Sequence, residues 1–116
     1  MKKEEECIFC NIVAKKVDSA IVFENEEMMA FKDIRAKAPV HLLLVPKKHV
    51  VDLNAMTEAD EGLLGRMMLQ LSTIAKEHGI AESGYKVVNN IGNDGGQIIH
   101  HFHFHLLGGA PVQSVV

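Results

Sequence analysis

The sequence lacks the features that define several large classes of protein. No apolar run approaches the ~20 residues of a membrane-spanning helix, so no transmembrane segment is expected. The formal net charge is −3, which is not the balance of a general nucleic-acid-binding protein. The charged residues 1–6 lead to no long apolar region, so we expect no secretory signal peptide. These absences together predict a cytoplasmic protein that binds neither membranes nor nucleic acids.

Internal repeats and linker-like segments are also lacking. A chain of 116 residues is long enough to bury about two-thirds of its unfolded surface, so it can form a substantial core. We therefore expect a single domain spanning residues 1–116, in which residues 1–6 form a flexible N-terminus.

Cysteine is scarce, and the two that occur, Cys7 and Cys10, form a Cys-x-x-Cys motif. Without a secretory signal, such a pair indicates a cytosolic thiol or metal pair and not a structural disulfide. A redox-active pair is less favoured, because no βαβ pattern surrounds the motif. A zinc site needs two more ligands, which His49 and a histidine near residue 101 could supply.

What the sequence does contain is a dense group of histidines near its end. His101, His103 and His105 occupy alternate positions, so in a β-strand their rings share one face. The opposite face is apolar: Phe102, Phe104 and Leu106. We predict a strand over residues 98–107, because a helix would mix the two sets. The three alternating histidines could form a plain polar face of the sheet or a metal site. We favour nucleophilic catalysis at phosphorus, since imidazole attacks when neutral and donates when protonated.

Apolar periodicity predicts the other elements. One helix is predicted over residues 7–16, and a second from Thr57, a capping residue, to Gly79. Strands are predicted over residues 20–23, 28–32, 41–46 and 85–90. The 41–46 run is continuously apolar and should be the central strand, buried on both faces. The long helix has an apolar stripe: Leu63, Leu64, Met67, Met68, Leu71, Ile74 and Ala75. Short connections between five strands predict an α+β fold, an antiparallel sheet with two helices packed against it.

The segment His101-Phe102-His103-Phe104-His105-Leu106-Leu107 resembles the His-φ-His-φ-His-φ-φ signature of the histidine triad (HIT) superfamily, in which φ is apolar. The flanking Asp94-Gly95-Gly96-Gln97 and Gly108-Gly109 are similar to the Hint branch, the purine nucleoside phosphoramidases. The likeness extends from Cys7 to Gly109. It implies the HIT-like fold, with two five-stranded sheets paired into a ten-stranded sheet in a homodimer.

The resemblance also implies an activity. The enzyme would be a nucleotide hydrolase or phosphoramidase acting at the α-phosphate of purine nucleoside 5′-phosphate derivatives, such as AMP-amidates and aminoacyl adenylates. His103 would become covalently nucleotidylated, His105 would contact the phosphate and leaving group, and His41 would line the phosphate site. Alternatives are dinucleoside polyphosphate hydrolysis, nucleotidyl transfer, or a regulatory protein that binds AMP or GMP and turns over weakly.

The nucleotide would bind to residues that match the family pattern. In the resemblance these are Ile8, Phe9, Phe31, Asp33, Ile34, Asn90, Gly96 and Gln97, with Ile12 and Leu43 as either base contacts or ordinary core. Asp33 would accept hydrogen bonds from the ribose hydroxyls. Ile98 departs from the pattern, because Hint proteins usually have a serine there whose hydroxyl contacts the phosphate or the leaving nitrogen.

Some HIT proteins have a Cys2His2 zinc site that uses the first histidine of the triad. The resemblance therefore implies a structural zinc bound by Cys7, Cys10, His49 and His101, with His100 as the alternative to His101. The remaining alternative is a pair of buried reduced thiols without metal. No organic cofactor is expected.

Overall fold

The computed structural model describes residues 6–112. The expected flexible N-terminus therefore lies, apart from Glu6, outside the described residues, as do residues 113–116. The elements in chain order are α1 (Ile8–Val13), β1 (Ile21–Glu24), β2 (Met28–Lys32), β3 (Val40–Pro46), α2 (Glu61–Glu77), β4 (Tyr85–Val88) and β5 (Phe104–Gly108). The predicted order of helices and strands is confirmed. No helix within the described range is both long and apolar enough to cross a bilayer.

The five strands form one sheet in the order β1-β2-β3-β5-β4, and every neighbouring pair is antiparallel. This confirms the predicted α+β class. β3 is the central strand, and its residues from His41 to Pro46 are buried, as the continuous apolar run predicted. β4 is an edge strand of the sheet.

Helix α2 covers one face of the sheet. The predicted Thr57 cap starts a 3₁₀ turn, Glu58–Asp60, whose amide at Ala59 donates to the Thr57 hydroxyl at 3.3 Å. The α-helix itself begins one turn later, and Gly79 ends it in the left-handed region with φ 73°. Of the two methionines in the predicted stripe, Met67 is fully buried in the core and Met68 is 49% exposed.

Helix α1 covers part of the opposite face. It ends at Val13, three residues before the predicted end, and Lys15 then has a left-handed φ of 62°. Its Phe9 and Ile12 pack on apolar residues of strands β2 and β3, namely Met29, Phe31, Leu43 and Val45. The sheet therefore has two apolar layers, and the histidines lie in the layer under α1.

The predicted strand over residues 98–107 was wrong at its start, because β5 begins at Phe104. β3 pairs with β5 only from Val40 to Leu44. Two residues further along β3, Pro46 has no amide hydrogen to donate to a neighbouring strand. The chain before β5 is held by other bonds, such as the Phe102 amide donating to the Val50 oxygen at 2.6 Å. The predicted alternation still holds, since Phe102 and Phe104 are both in the α2-side core.

Candidate active site

His103 lies in the bent segment that precedes β5, with its ring edge-on to the ring of Phe9 at a centroid distance of 5.1 Å. Its Nδ1 is 2.7 Å from the backbone oxygen of His101. A carbonyl oxygen only accepts, so Nδ1 holds the ring hydrogen, and the neutral ring keeps its lone pair on Nε2. This arrangement leaves Nε2 of His103 as a nucleophilic nitrogen.

The backbone of His103 is fixed by a side chain from the neighbouring strand. Asn89, the residue after β4, donates from Nδ2 to the His103 oxygen at 2.8 Å. The last ladder pair of β4 and β5 joins Val88 to His105, so the asparagine continues the contact where backbone pairing stops. Asn89 was not predicted as a site residue, whereas its neighbour Asn90 was.

His105 and His41 form a second pair beside His103. Leu43 of β3 pairs with His105 of β5. His41 is two residues before Leu43 on β3, so its side chain lies on the same face of the sheet as His105. The Nε2 atom of His41 is 3.0 Å from Nδ1 of His105 and 3.3 Å from Oδ2 of Asp33. The His103 and His105 ring centroids are 5.0 Å apart. Three imidazoles and one carboxylate thus form a continuous polar group on the sheet.

Burial keeps these rings neutral. Desolvation lowers the pKa of His103. A hydrogen bond to the His101 backbone and the charge of Asp33 raise the same pKa, but by less. Desolvation, with smaller contributions from His103 and His41, lowers the pKa of His105 to about 4. The pKa of His41 is lowered by burial and raised in part by Asp33. A neutral imidazole has one donor and one lone pair, which is what nucleophilic attack needs.

The residues predicted to bind a base divide into a buried group, whose Phe9 contacts His103, and a surface pair. Phe9 and Phe31 are buried and edge-on to each other at 5.4 Å. Ile12 and Leu43 are buried in the same cluster. Ile8 and Ile34 lie at the surface, and Ile34 is 94% exposed.

The predicted ribose acceptor, Asp33, lies at the end of β2 and is only partly buried. Its Oδ1 accepts from the Arg35 amide at 2.8 Å, and its Oδ2 faces His41. The carboxylate is therefore held in place by its own loop and lies next to the polar group of histidines.

The predicted phosphate residues lie in the loop between β4 and β5. Asn90 donates from Nδ2 to the Gly95 oxygen at 2.7 Å, and Gly96 has a φ of 81° that favours glycine. Gln97 is buried, and its side chain bonds three backbone groups: the Gly92 amide at 2.9 Å, the Val51 oxygen at 2.7 Å and the Ile99 oxygen at 3.1 Å. Its amide thus braces the loop, and the next residue, Ile98, is 84% exposed.

The four predicted zinc ligands converge on one point. The ligand atoms of Cys7, Cys10, His49 and His101 all lie within 4.8 Å of one another. His101 Nδ1 is 3.4 Å from the Cys7 sulfur and 3.5 Å from the Cys10 sulfur, and His49 Nδ1 is 3.2 Å from the Cys10 sulfur. The alternative ligand His100 is not in this cluster.

The donor set fits a tetrahedral zinc ion. Zinc bonds of ~2.3 Å to sulfur and ~2.05 Å to nitrogen place neighbouring ligand atoms ~3.5 Å apart, close to the distances above. His101 Nε2 lies 2.8 Å from the Pro46 oxygen, so its hydrogen is there and the Nδ1 lone pair faces the thiols. Burial lowers the pKa of His101 to about 4, which keeps that lone pair unprotonated.

Four groups with a structural role at the site were not predicted: the Asn89 side chain, the His101 oxygen, the Pro46 oxygen and the Lys37 amide, which donates to His41 Nδ1 at 3.0 Å. The asparagine has a weak sequence signal, because it directly follows an apolar strand. The three backbone groups have none.

Comparison with known proteins places these residues in a family context. The family model described as "Scavenger mRNA decapping enzyme C-term binding" matches residues 6–114. The chain is 44% identical over 104 residues to Protein HitA of Neisseria gonorrhoeae, covering 90% of this chain and 96% of that protein. It is 40% identical over 108 residues to the purine nucleoside phosphoramidase of Escherichia coli strain K12, covering 93% and 91% of the two chains.

A solved structure gives the same result. The fold matches that of a HIT family hydrolase from Legionella pneumophila with a TM-score of 0.89 and 40% identity. The match covers 90% of this chain and 94% of the other.

Proposed function

The chain belongs to the histidine triad (HIT) family of hydrolases, and from this premise we propose that it acts at the α-phosphate of purine nucleoside 5′-phosphate derivatives. The proposed substrates are AMP-amidates and aminoacyl adenylates. The reaction would pass through a nucleotidyl-histidine on His103, within a single catalytic domain. The observation on which the proposal depends is the 2.7 Å bond from His103 Nδ1 to the His101 oxygen, because it leaves Nε2 as the attacking atom.

In the proposed first step, the Nε2 lone pair of His103 attacks the phosphorus, and the bond from phosphorus to the leaving nitrogen or oxygen breaks. The electron pair stays with the leaving group, which takes up one proton that solvent supplies by way of His105. The ring of His103 becomes positively charged. The His101 oxygen and the Asp33 carboxylate, which already raise the pKa of this ring, stabilise that charge.

In the second step, water attacks the phosphorus and the bond to Nε2 breaks. The nucleoside monophosphate leaves, neutral His103 is restored, and the water gives one proton back to solvent by way of His105. The two steps consume one water and no net proton. His105 suits this role, since its ring lies 5.0 Å from that of His103 and is joined to His41.

We propose that the purine ring covers the apolar patch of Ile8, Phe9, Phe31 and Ile34, and that Asp33 accepts from the ribose hydroxyls. The exposure of Ile34 supports this, because an apolar side chain at the surface gains from being covered. The open backbone at Gly96 and the amide of Asn90 would face the phosphate. Gln97 would act through the loop that its side chain braces.

A zinc ion bound by Cys7, Cys10, His49 and His101 is part of the proposal. With four protein ligands it would be structural and would join α1, the end of β3 and the segment before β5. The thiolate-rich site suits a reducing compartment, which supports the expected cytoplasmic location.

We further propose a homodimer. The edge strand β4 and the exposed side chains of Met68 and Leu69 on α2 are surfaces that a second copy could cover.

The proposed function is tested with an AMP-amidate. Wild-type protein should release AMP, and mass spectrometry of acid-free quenched samples should find AMP attached to His103. His103→Ala should reduce kcat by several orders of magnitude and still bind AMP, because the base and ribose contacts lie elsewhere. A His103→Ala protein with near-normal turnover would show that the mechanism is wrong.

One observation favours a second candidate, a nucleotide-binding protein with slow turnover. Ile98 is 84% exposed and offers no hydroxyl to the phosphate or leaving group. AMP binding without release of AMP from the amidate would support this candidate, and Ile98→Ser should then increase turnover.

A further inference from the structure

We propose that the backbone amide of Lys37 is a positioning group that sets which nitrogen of His41 holds the ring hydrogen and, through His41, which nitrogen of His105 does. The inference rests on the proposed function only in assigning His105 to face the substrate. The direction of the hydrogen bonds follows from geometry alone.

The first link is the contact between the loop and β3. The Lys37 nitrogen lies 3.0 Å from Nδ1 of His41. A backbone amide can only donate, so Nδ1 must be the unprotonated nitrogen of the ring. His41 is buried, and burial lowers its pKa, so the ring is neutral. Its single hydrogen is then on Nε2.

The second link joins His41 to His105. The Nε2 hydrogen of His41 points to Nδ1 of His105 at 3.0 Å. This makes Nδ1 of His105 an acceptor, and the hydrogen of the neutral His105 ring is on Nε2. Oδ2 of Asp33, 3.3 Å from the same Nε2 of His41, is a second acceptor and favours the same arrangement. The Lys37 amide, His41 and His105 thus form a hydrogen-bond relay. The relay leaves the Nε2–H of His105 on the side of the ring that faces away from His41.

The opposite arrangement would be unfavourable in two places. With its hydrogen on Nδ1, His41 would place a donor against the Lys37 amide and a lone pair against the Asp33 carboxylate. His105 would then donate to His41 and present a lone pair to the substrate. It could no longer give a hydrogen bond to a phosphate oxygen or a proton to a leaving group. One loop amide thus determines the polarity of the relay.

The same geometry bears on a second cluster of potential metal ligands. Asp33, His41 and His105 have ligand atoms within 4.8 Å of one another. A metal ion on Nε2 of His41 would need the lone pair there, and the Lys37 amide needs the lone pair on Nδ1. A neutral imidazole has one lone pair in its plane, so the cluster is a hydrogen-bond relay and not a metal site.

The charged and titratable groups around the pair are Asp33 and Lys37 from the loop and His103 from the segment before β5. Asp33 raises the pKa of His41 and His105, whereas Lys37 lowers both. Burial is the largest influence on each ring, so both are neutral at pH 7 and differ only in where the hydrogen lies.

The tautomers can be read directly by NMR of the full-length protein labelled with ¹⁵N-histidine, without any substrate. Protonated and unprotonated ring nitrogens have well-separated ¹⁵N shifts. At pH 7 we expect His41 and His105 each to be protonated on Nε2 and unprotonated on Nδ1. Protonated Nδ1 on His41 in the wild-type protein would overturn the proposal whatever the variants do.

Two variants at one position separate the amide from the side chain. Lys37→Pro removes the N–H, whereas Lys37→Ala keeps it and removes the charge. Lys37→Ala should keep both tautomers. Lys37→Pro should show a mixture on His41, and its kcat for an AMP-amidate should fall by up to about ten-fold relative to Lys37→Ala with KM little changed, the scale of one lost hydrogen bond.

Identical tautomers in the two variants would overturn the proposal. If Lys37→Pro fails to fold, the wild-type spectrum alone decides. A different result would contradict the proposed function alone. In that case the wild-type protein would show the expected tautomers but would release no AMP from the amidate.

Discussion

Replacing Asn89 by alanine tests how the nucleophile is held in place. The Asn89 side chain donates to the His103 oxygen at 2.8 Å, and its loss leaves that partly buried carbonyl without this donor. The cost should be about 1–3 kcal/mol of unfolding free energy, which lowers Tm by roughly 4 °C per kcal/mol in a domain of this size. The ring of His103 should also shift, and a misplacement of ~1 Å can reduce the rate by ~100-fold.

The assay compares Tm, AMP affinity and kcat for an AMP-amidate. We expect Asn89→Ala to reduce kcat by about ten-fold or more and to change AMP affinity little, because Asp33 and the apolar patch are untouched. Asn54→Ala, at an exposed asparagine in the 3₁₀ turn Leu53–Ala55, is the control for losing an amide side chain. An Asn89→Ala protein with the Tm and kcat of the Asn54→Ala control would refute the role of this bond.

Three further predictions concern the ribose, the metal and pH. Asp33→Ala should weaken AMP binding by about ten- to a hundred-fold, the scale of a charge-assisted hydrogen bond. In calorimetry, wild-type protein should bind 2′,3′-dideoxy-AMP more weakly than AMP. Equal affinity for the two ligands would contradict the role of Asp33. Protein purified without an affinity tag should contain one zinc ion per chain. Cys10→Ala should lose the zinc ion and have a lower Tm. A wild-type protein that contains no metal, and whose two thiols react with a thiol reagent in the folded state, would contradict the site. His105 has a folded pKa of about 4, below its unfolded value, so the unfolded state binds more protons between pH 4 and 6.5 and stability falls on acidification. Urea melts should show His105 contributing about 1–2 kcal/mol to the loss from pH 7 to pH 5, and His105→Gln should remove that share; an unchanged slope would argue against the depressed pKa.

Local patterns predicted most of the fold. β2 occupies the predicted residues, and β3 is central because the five-residue apolar run after His41 must be buried on both faces. The cap at Thr57 and the stop at Gly79 follow from their own side chains, or from the lack of one. Met68 was not distinguished from Met67, because both belong to the same predicted apolar stripe and only packing against the sheet separates them.

The sequence by itself determined the composition of the site: three alternating histidines, a fourth on the central strand, and a cysteine pair one helical turn apart. Side-chain periodicity is local, so residue types and spacing are enough to predict which faces they share. His49 was proposed from the sequence as a third ligand, the resemblance to HIT proteins selected His101 as the fourth, and the structure brings all four ligand atoms together.

Only the tertiary structure decided how the histidines are held and protonated. β5 begins at Phe104, opposite Leu44, where its pairing with β3 stops, and that register depends on how distant segments of the chain pack. The groups that orient the rings are the oxygens of His101 and Pro46 and the amide of Lys37. Every residue has a backbone oxygen and nearly every residue an amide, so the sequence does not mark which of them will face a ring. That choice is made when distant segments of the chain pack together.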